Sequence, residues 1–111
     1  MENGKNIIIY PSEYRFCQIL WENEPVTTTQ LVKLCRDKLI WAKSTTFTVI
    51  RRLVSRGFIK KEGALCSSLV SKTSVQCNLI TELISEYFDD YSEFAQIVKQ
   101  IQMLNTTEPD T

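Results

Sequence analysis

The sequence predicts a mainly α chain with one small β-hairpin, on three observations. Apolar residues recur at helical spacing in five stretches. Gly57 stops the third of these. The segment after it switches to two short β-prone runs about Gly63. At 111 residues the chain has the length of one domain with an appendage, a size at which oligomerisation often completes the core.

The first helix follows from Pro11, a residue suited to a first helical turn. In "SEYRFCQILWEN" it is followed by Tyr14, Cys17, Ile19, Leu20 and Trp21 on one side, and the helix ends near Glu24-Pro25. Residues 1–6 are polar and expected to fray. Thr27 or Thr28 can cap a short second helix, whose apolar positions are Leu31, Leu34, Cys35 and Leu39.

A brief link through Ile40, Trp41 and Ala42 delivers the third helix, about 43–56, in "WAKSTTFTVIRRLVSRGFI". At about 100° per residue, Thr46, Phe47, Val49, Ile50, Leu53 and Val54 gather on one arc that should face a core. The opposite arc carries Ser44, Thr45, Thr48, Arg51, Arg52 and Ser55 and no acid. Hydroxyls beside guanidinium groups suit phosphate oxygens and the acceptor-rich edge of guanine. A solvated helix that happens to be basic is the plainer account of the same residues.

Phe58 and Ile59, then Leu65 to Val70, flank a Glu62-Gly63 turn and read as a two-stranded hairpin. Three helices and a terminal hairpin describe a winged helix-turn-helix, with its wing at the hairpin. Beyond it, Ser71 to Asp90 carries Val75, Leu79, Ile80, Leu83, Ile84, Tyr87 and Phe88 on one side of a fourth helix. Asp90 and Glu93 form a capping pattern that opens a fifth, with Phe94, Ile97, Val98, Ile101 and Leu104. These stripes are wide for the ends of a small chain, so pairing with a second copy is the expected use of Leu79, Ile80, Leu83, Ile84, Tyr87, Phe88, Phe94, Ile97, Val98 and Ile101. Folding back on the same chain is the other arrangement. The expected organisation is a winged head over 7–72, a helical dimerisation region over 73–104, and a disordered tail over 105–111.

The formal charge is zero, but its distribution is uneven. From Lys33 to Lys61 nine basic residues face Asp37 alone, a net charge of +8. From Ser74 onward only Lys99 opposes seven acids, a net charge of −6. A block of one sign with an acidic end is the asymmetry of a domain that shows one face to a polyanion.

Other function classes find little support. With no histidine, no glycine-rich phosphate loop and no nucleophile–base pair, catalysis is not expected. Cys17, Cys35, Cys66 and Cys77 are scattered without a Cys-x-x-Cys pair, so they read as reduced structural cysteines and neither metal nor cofactor is expected. No run approaches a membrane span, and Met1 to Asn6 lacks the plan of a signal peptide, so the expected location is cytoplasmic.

Across roughly residues 9 to 72 the chain resembles the penicillinase repressor family of bacteria. "ILWENEPVTTTQLV" is similar to the family's passage from first to second helix. "WAKSTTFTVIRRLVSRGFIKK" is similar to its recognition helix and first wing strand, at Trp41, Thr45, Thr48, Arg52, Leu53, Val54 and Gly57. "SSLVS" resembles the exit from the wing. The resemblance implies a homodimeric repressor that places its third helix in the major groove of a palindromic double-stranded DNA operator, in many members under control of a membrane sensor protease. Three departures stand out. The wing between Lys61 and Ser67 is shorter than the family's. Ala42-Lys43 replaces the serine-proline that often opens the recognition helix. The C-terminal half lacks both the family's Asn-Phe cleavage pair and the cysteine cluster of its copper-responsive members.

On this reading Thr48 and Arg52 point most directly away from the core and are the candidates for base edges. Lys43, Ser44, Thr45 and Arg51 join them from the same helix, Lys43 meeting phosphate at the helix entrance. Lys60 and Lys61 contact the backbone from the wing. A winged helix that binds protein instead of DNA is the competing function, favoured by the short wing and the zero overall charge.

Overall fold

The computed structural model describes residues 9–105. Its element order is α1 (Pro11–Asn23), β1 (Val26–Thr27), α2 (Thr28–Leu39), α3 (Lys43–Ser55), β2 (Ile59–Glu62), β3 (Leu65–Ser68), α4 (Lys72–Tyr87) and α5 (Tyr91–Asn105). The mainly helical class with a small wing is as the sequence predicts. The expected fraying of residues 1–6 lies outside the described residues, as does the expected disordered tail except for Asn105, which closes α5.

The wing differs from expectation in having a third strand. Val26 and Thr27 pair antiparallel with Cys66 and Leu65, giving the strand order β1-β3-β2. Two residues after Pro25, the second of them a helix cap, have no periodicity to reveal a strand; their partner, β3, makes them one. The hairpin pairs Ile59 with Ser68 and Glu62 with Leu65, so its turn is Gly63-Ala64, one residue later than the sequence suggests. Gly63 takes φ +62°, a conformation that a side chain resists.

The helix ends follow from local chemistry. Thr27 caps α2, its Oγ1 accepting from the Gln30 amide at 3.2 Å. Gly57, at φ +80°, follows the Arg56 C-cap of α3 and turns the chain into β2. Ile40, the C-cap of α2, is a costlier solution: it sits at φ 60° with its side chain 84% exposed.

The chain divides after Gln76 into two compact units. In the first, Phe16 and Leu20 of α1, Leu31 and Cys35 of α2, Ile50 and Leu53 of α3, Ile59, Cys66 and Val75 are buried together. Phe16 stacks on Trp41 with centroids 6.2 Å apart, which holds the α2–α3 link against α1. The Trp21 indole donates to the Val70 carbonyl at 3.0 Å, and the Glu24 carboxylate accepts from the Ser68 amide at 2.6 Å and the Ser68 hydroxyl at 2.9 Å. These bonds fasten the base of the wing to the end of α1. In the second unit, which holds the rest of α4 and all of α5, Phe88 of the link between them packs edge to face on Phe94 of α5 at 5.4 Å. The Glu93 amide donates to Asp90 Oδ1 at 3.0 Å as the capping pattern predicts, while the Glu93 side chain accepts from the Asp89 amide instead of from Asp90.

Candidate nucleic-acid interface

Of the arc expected to face the core in α3, Thr46, Val49, Ile50 and Leu53 are buried and Phe47 is half-buried. Val54 departs from expectation: it is 39% exposed, because the core does not reach the last turn on that side. The polar arc lies as drawn, with Ser44, Thr45, Thr48, Arg51, Arg52 and Ser55 all exposed. Lys43, Lys60 and Lys61 are exposed as well.

Most of these residues line two depressions on that exposed surface. Ser44, Thr45, Thr48 and Arg52 line a cleft of about 320 Å³ together with Val49, Trp41 and Ser12 of α1. Arg51 and Lys61 line a second groove with Phe47, Ile50, Val54 and Ser55. Lys60 belongs to neither. Neighbouring strand residues point to opposite sides, so Lys60 shares a side with Glu62 and its amine stands 3.4 Å from that carboxylate. Lys43 leans over Phe47, its Nζ 5.9 Å from the ring centroid.

Two residues of this region were not singled out by the sequence. Ser12 borders the first cleft from another helix. Glu13 lies beneath it, 1% exposed, and accepts from the Tyr10 backbone amide at 3.1 Å and from Arg56 through both oxygens, at 3.0 and 3.2 Å. Arg52 stands 3.6 Å from the same carboxylate with about half its side chain exposed. In the sequence Glu13 looks like any acid in a first helical turn; the ion pair joins residues 43 apart. Arg56, to which the sequence alone assigned no partner, is its principal one.

Three of the four cysteines are packed into this unit. Burial pushes the Cys17 thiol up to about 12, helped by the charge of Glu13 and opposed by Arg56. Burial likewise raises Cys35, with the nearby Thr46 hydroxyl acting the other way, and raises Cys66, against the charge of Lys61. Cys77 differs: it is exposed on α4.

The second unit carries the stripe expected to pair copies of the chain. Leu79, Ile80, Leu83, Tyr87, Ile97 and Ile101 are exposed, whereas Ile84, Phe88, Phe94 and Val98 are half-buried. α5 has no fully buried residue. Among the described residues no helix is long and apolar enough to cross a membrane.

Comparison with known proteins agrees with this architecture. Over 54 residues the chain is 39% identical to the uncharacterized 16.5 kDa protein in the ptsI 3'region of Latilactobacillus sakei; the match covers 49% of this chain and 37% of that protein. The chain therefore spans well under half the length of that relative. The family model described as penicillinase repressor matches residues 9–109, from the start of the winged unit through both C-terminal helices. A match of that extent, on a winged fold with a basic third helix, shows that the chain belongs to the penicillinase repressor family, a family of DNA-binding transcriptional repressors.

Proposed function

We propose that the protein is a sequence-specific transcriptional repressor that binds a palindromic operator as a homodimer, α3 lying in the major groove. The observation that carries this reading is the exposed face of α3: four hydroxyls and two guanidinium groups on one arc, with no carboxylate lining either depression around it. Thr48 and Arg52 read base edges. Arg56 already satisfies Glu13 through two close bonds, and the 3.6 Å contact leaves the half-exposed Arg52 guanidinium available to guanine. Lys43, Ser44, Thr45, Arg51 and Lys61 hold the phosphates, and Lys60 adds a weaker backbone contact because Glu62 offsets it.

The head corresponds to residues 7–72, and residues 73–104 supply the dimer through their exposed apolar stripe. One recognition helix reads only a few base pairs, whereas two about 34 Å apart read both halves of a palindrome. Proteolytic control, if it extends to this member, acts on that second region, since cutting there separates the two readers.

The experiment is retention of random duplexes by the purified protein at two salt concentrations, followed by sequencing. A palindrome with half-sites one helical turn apart is expected at the higher salt. A second reading, a winged helix that binds protein, is favoured by the short wing, whose two strands of four residues join through two. Retention of no duplex even at low salt, where basic faces hold any DNA, would replace the first reading with the second.

A further inference from the structure

The apolar arc of α3 is wider than the core that covers it. Phe47, Ile50 and Val54 stand three and four residues apart and so form one strip. With Arg51, Ser55 and Lys61 they line an open groove of about 610 Å³ between α3 and the wing. Ligand pockets have volumes of about 300–1,000 Å³, walls that are mostly apolar and a few convergent polar groups. This groove has that make-up. Its two charged groups are both cations, and neither Arg51 nor Lys61 has a carboxylate partner among the described residues. Arg51 donates only to the Thr48 hydroxyl, at 3.4 Å. Lys43, above the Phe47 ring, adds a third positive charge beside the floor.

We propose that the groove binds a small amphipathic carboxylate, its apolar body on Phe47 and Val54 and its carboxylate between Arg51 and Lys61. Phosphate accounts for the cations but not for the floor, because it gains nothing from an apolar strip. A protein partner fits poorly too: six residues line the groove, against roughly 20–30 per side in a stable interface. A bound carboxylate takes Arg51 and Lys61 away from phosphate, so the ligand releases DNA; this consequence, unlike the site itself, rests on the DNA-binding reading.

The test uses the full ¹⁵N-labelled chain without DNA, titrated with 5-phenylpentanoate and separately with its uncharged primary amide. Saturable shifts of the Phe47, Val54 and Lys61 backbone amides are expected with the carboxylate, and at least tenfold weaker binding of the amide. Val54→Gln should abolish the shifts in a spectrum otherwise that of a folded protein, and Arg51→Gln should weaken the carboxylate while leaving the amide unaffected. No saturable shift at millimolar probe, equal binding of both probes, or shifts confined to α5 would overturn the site. A fluorescent duplex added at low salt then reads the coupling: release in step with groove occupancy supports it, and a duplex retained on the saturated protein overturns it. A chain that holds no duplex before probe is added speaks against the DNA-binding reading, while the first titration still decides the groove.

Discussion

Glu13 shows how one buried residue can organise an exposed surface. Its carboxylate caps α1 and receives Arg56 and Arg52, so the last turn of α3 is held to the first turn of α1. Removing one partner of a fully buried pair costs about 3–5 kcal/mol; with the Arg56 side chain 29% exposed, Glu13→Gln should cost about 2–3 kcal/mol. Urea unfolding would measure it, and a loss below about 1 kcal/mol would mean that Arg56 is as well solvated without its partner. Arg52→Ala tests a different role at the same place. It should reduce discrimination between operator and random DNA by about 1–3 kcal/mol if the contact to a base is bidentate. Equal losses on both DNAs would make Arg52 a phosphate contact. The exposed half of this picture was legible from the helical wheel, because a solvent-facing arc depends only on spacing. Glu13 was not, because its burial depends on residues from another helix.

Among the elements, the link between α2 and α3 carries the clearest local strain. Ile40 adopts a left-handed conformation that disfavours a β-branched residue, and its exposed side chain gains no burial in return. Ile40→Gly should therefore stabilise the fold by about 1 kcal/mol, after the added freedom of the unfolded chain is subtracted. A fall in thermal midpoint would show that the isoleucine contributes contacts that outweigh the strain. The sequence showed the link but not its strain, since only the angle needed to set α3 across α2 forces φ positive. At α4 and α5 the opposite holds: capping at Asp90 and the apolar spacing were readable, while the use of the stripe depends on what covers it. Leu83→Asp should dissociate the proposed dimer and weaken binding to the proposed operator while leaving the winged unit folded. Sedimentation of an intact dimer would move the interface elsewhere.

At the scale of the whole molecule, the buried thiols make stability depend on alkaline pH. Cys17 is raised from 9.0 to about 12, and Cys35 and Cys66 are raised by burial too. Below about pH 9 these groups are thiols in both states and contribute no slope. Above it the unfolded chain releases protons that the native protein keeps, so the unfolding free energy should fall as pH rises from about 9 toward 12. Urea midpoints across pH 7–11 would show this, and Cys17→Ala should flatten part of the slope whatever it does to stability at neutral pH. An unchanged slope in that variant would assign the alkaline loss to other groups.

What the sequence by itself determined were the features set by neighbours along the chain: five helices, the caps of the second and fifth, the Gly57 stop, a hairpin after it, and a basic arc without acids. Tertiary structure alone decided which features meet. It made Val26 and Thr27 a strand by giving them Cys66 and Leu65 as partners, buried Glu13 against two arginines, left Val54 outside the core, and placed Arg52 in one depression and Arg51 and Lys61 in another. Periodicity reports the direction in which a side chain leaves its own helix or strand; burial and charge pairing depend on what another element brings there.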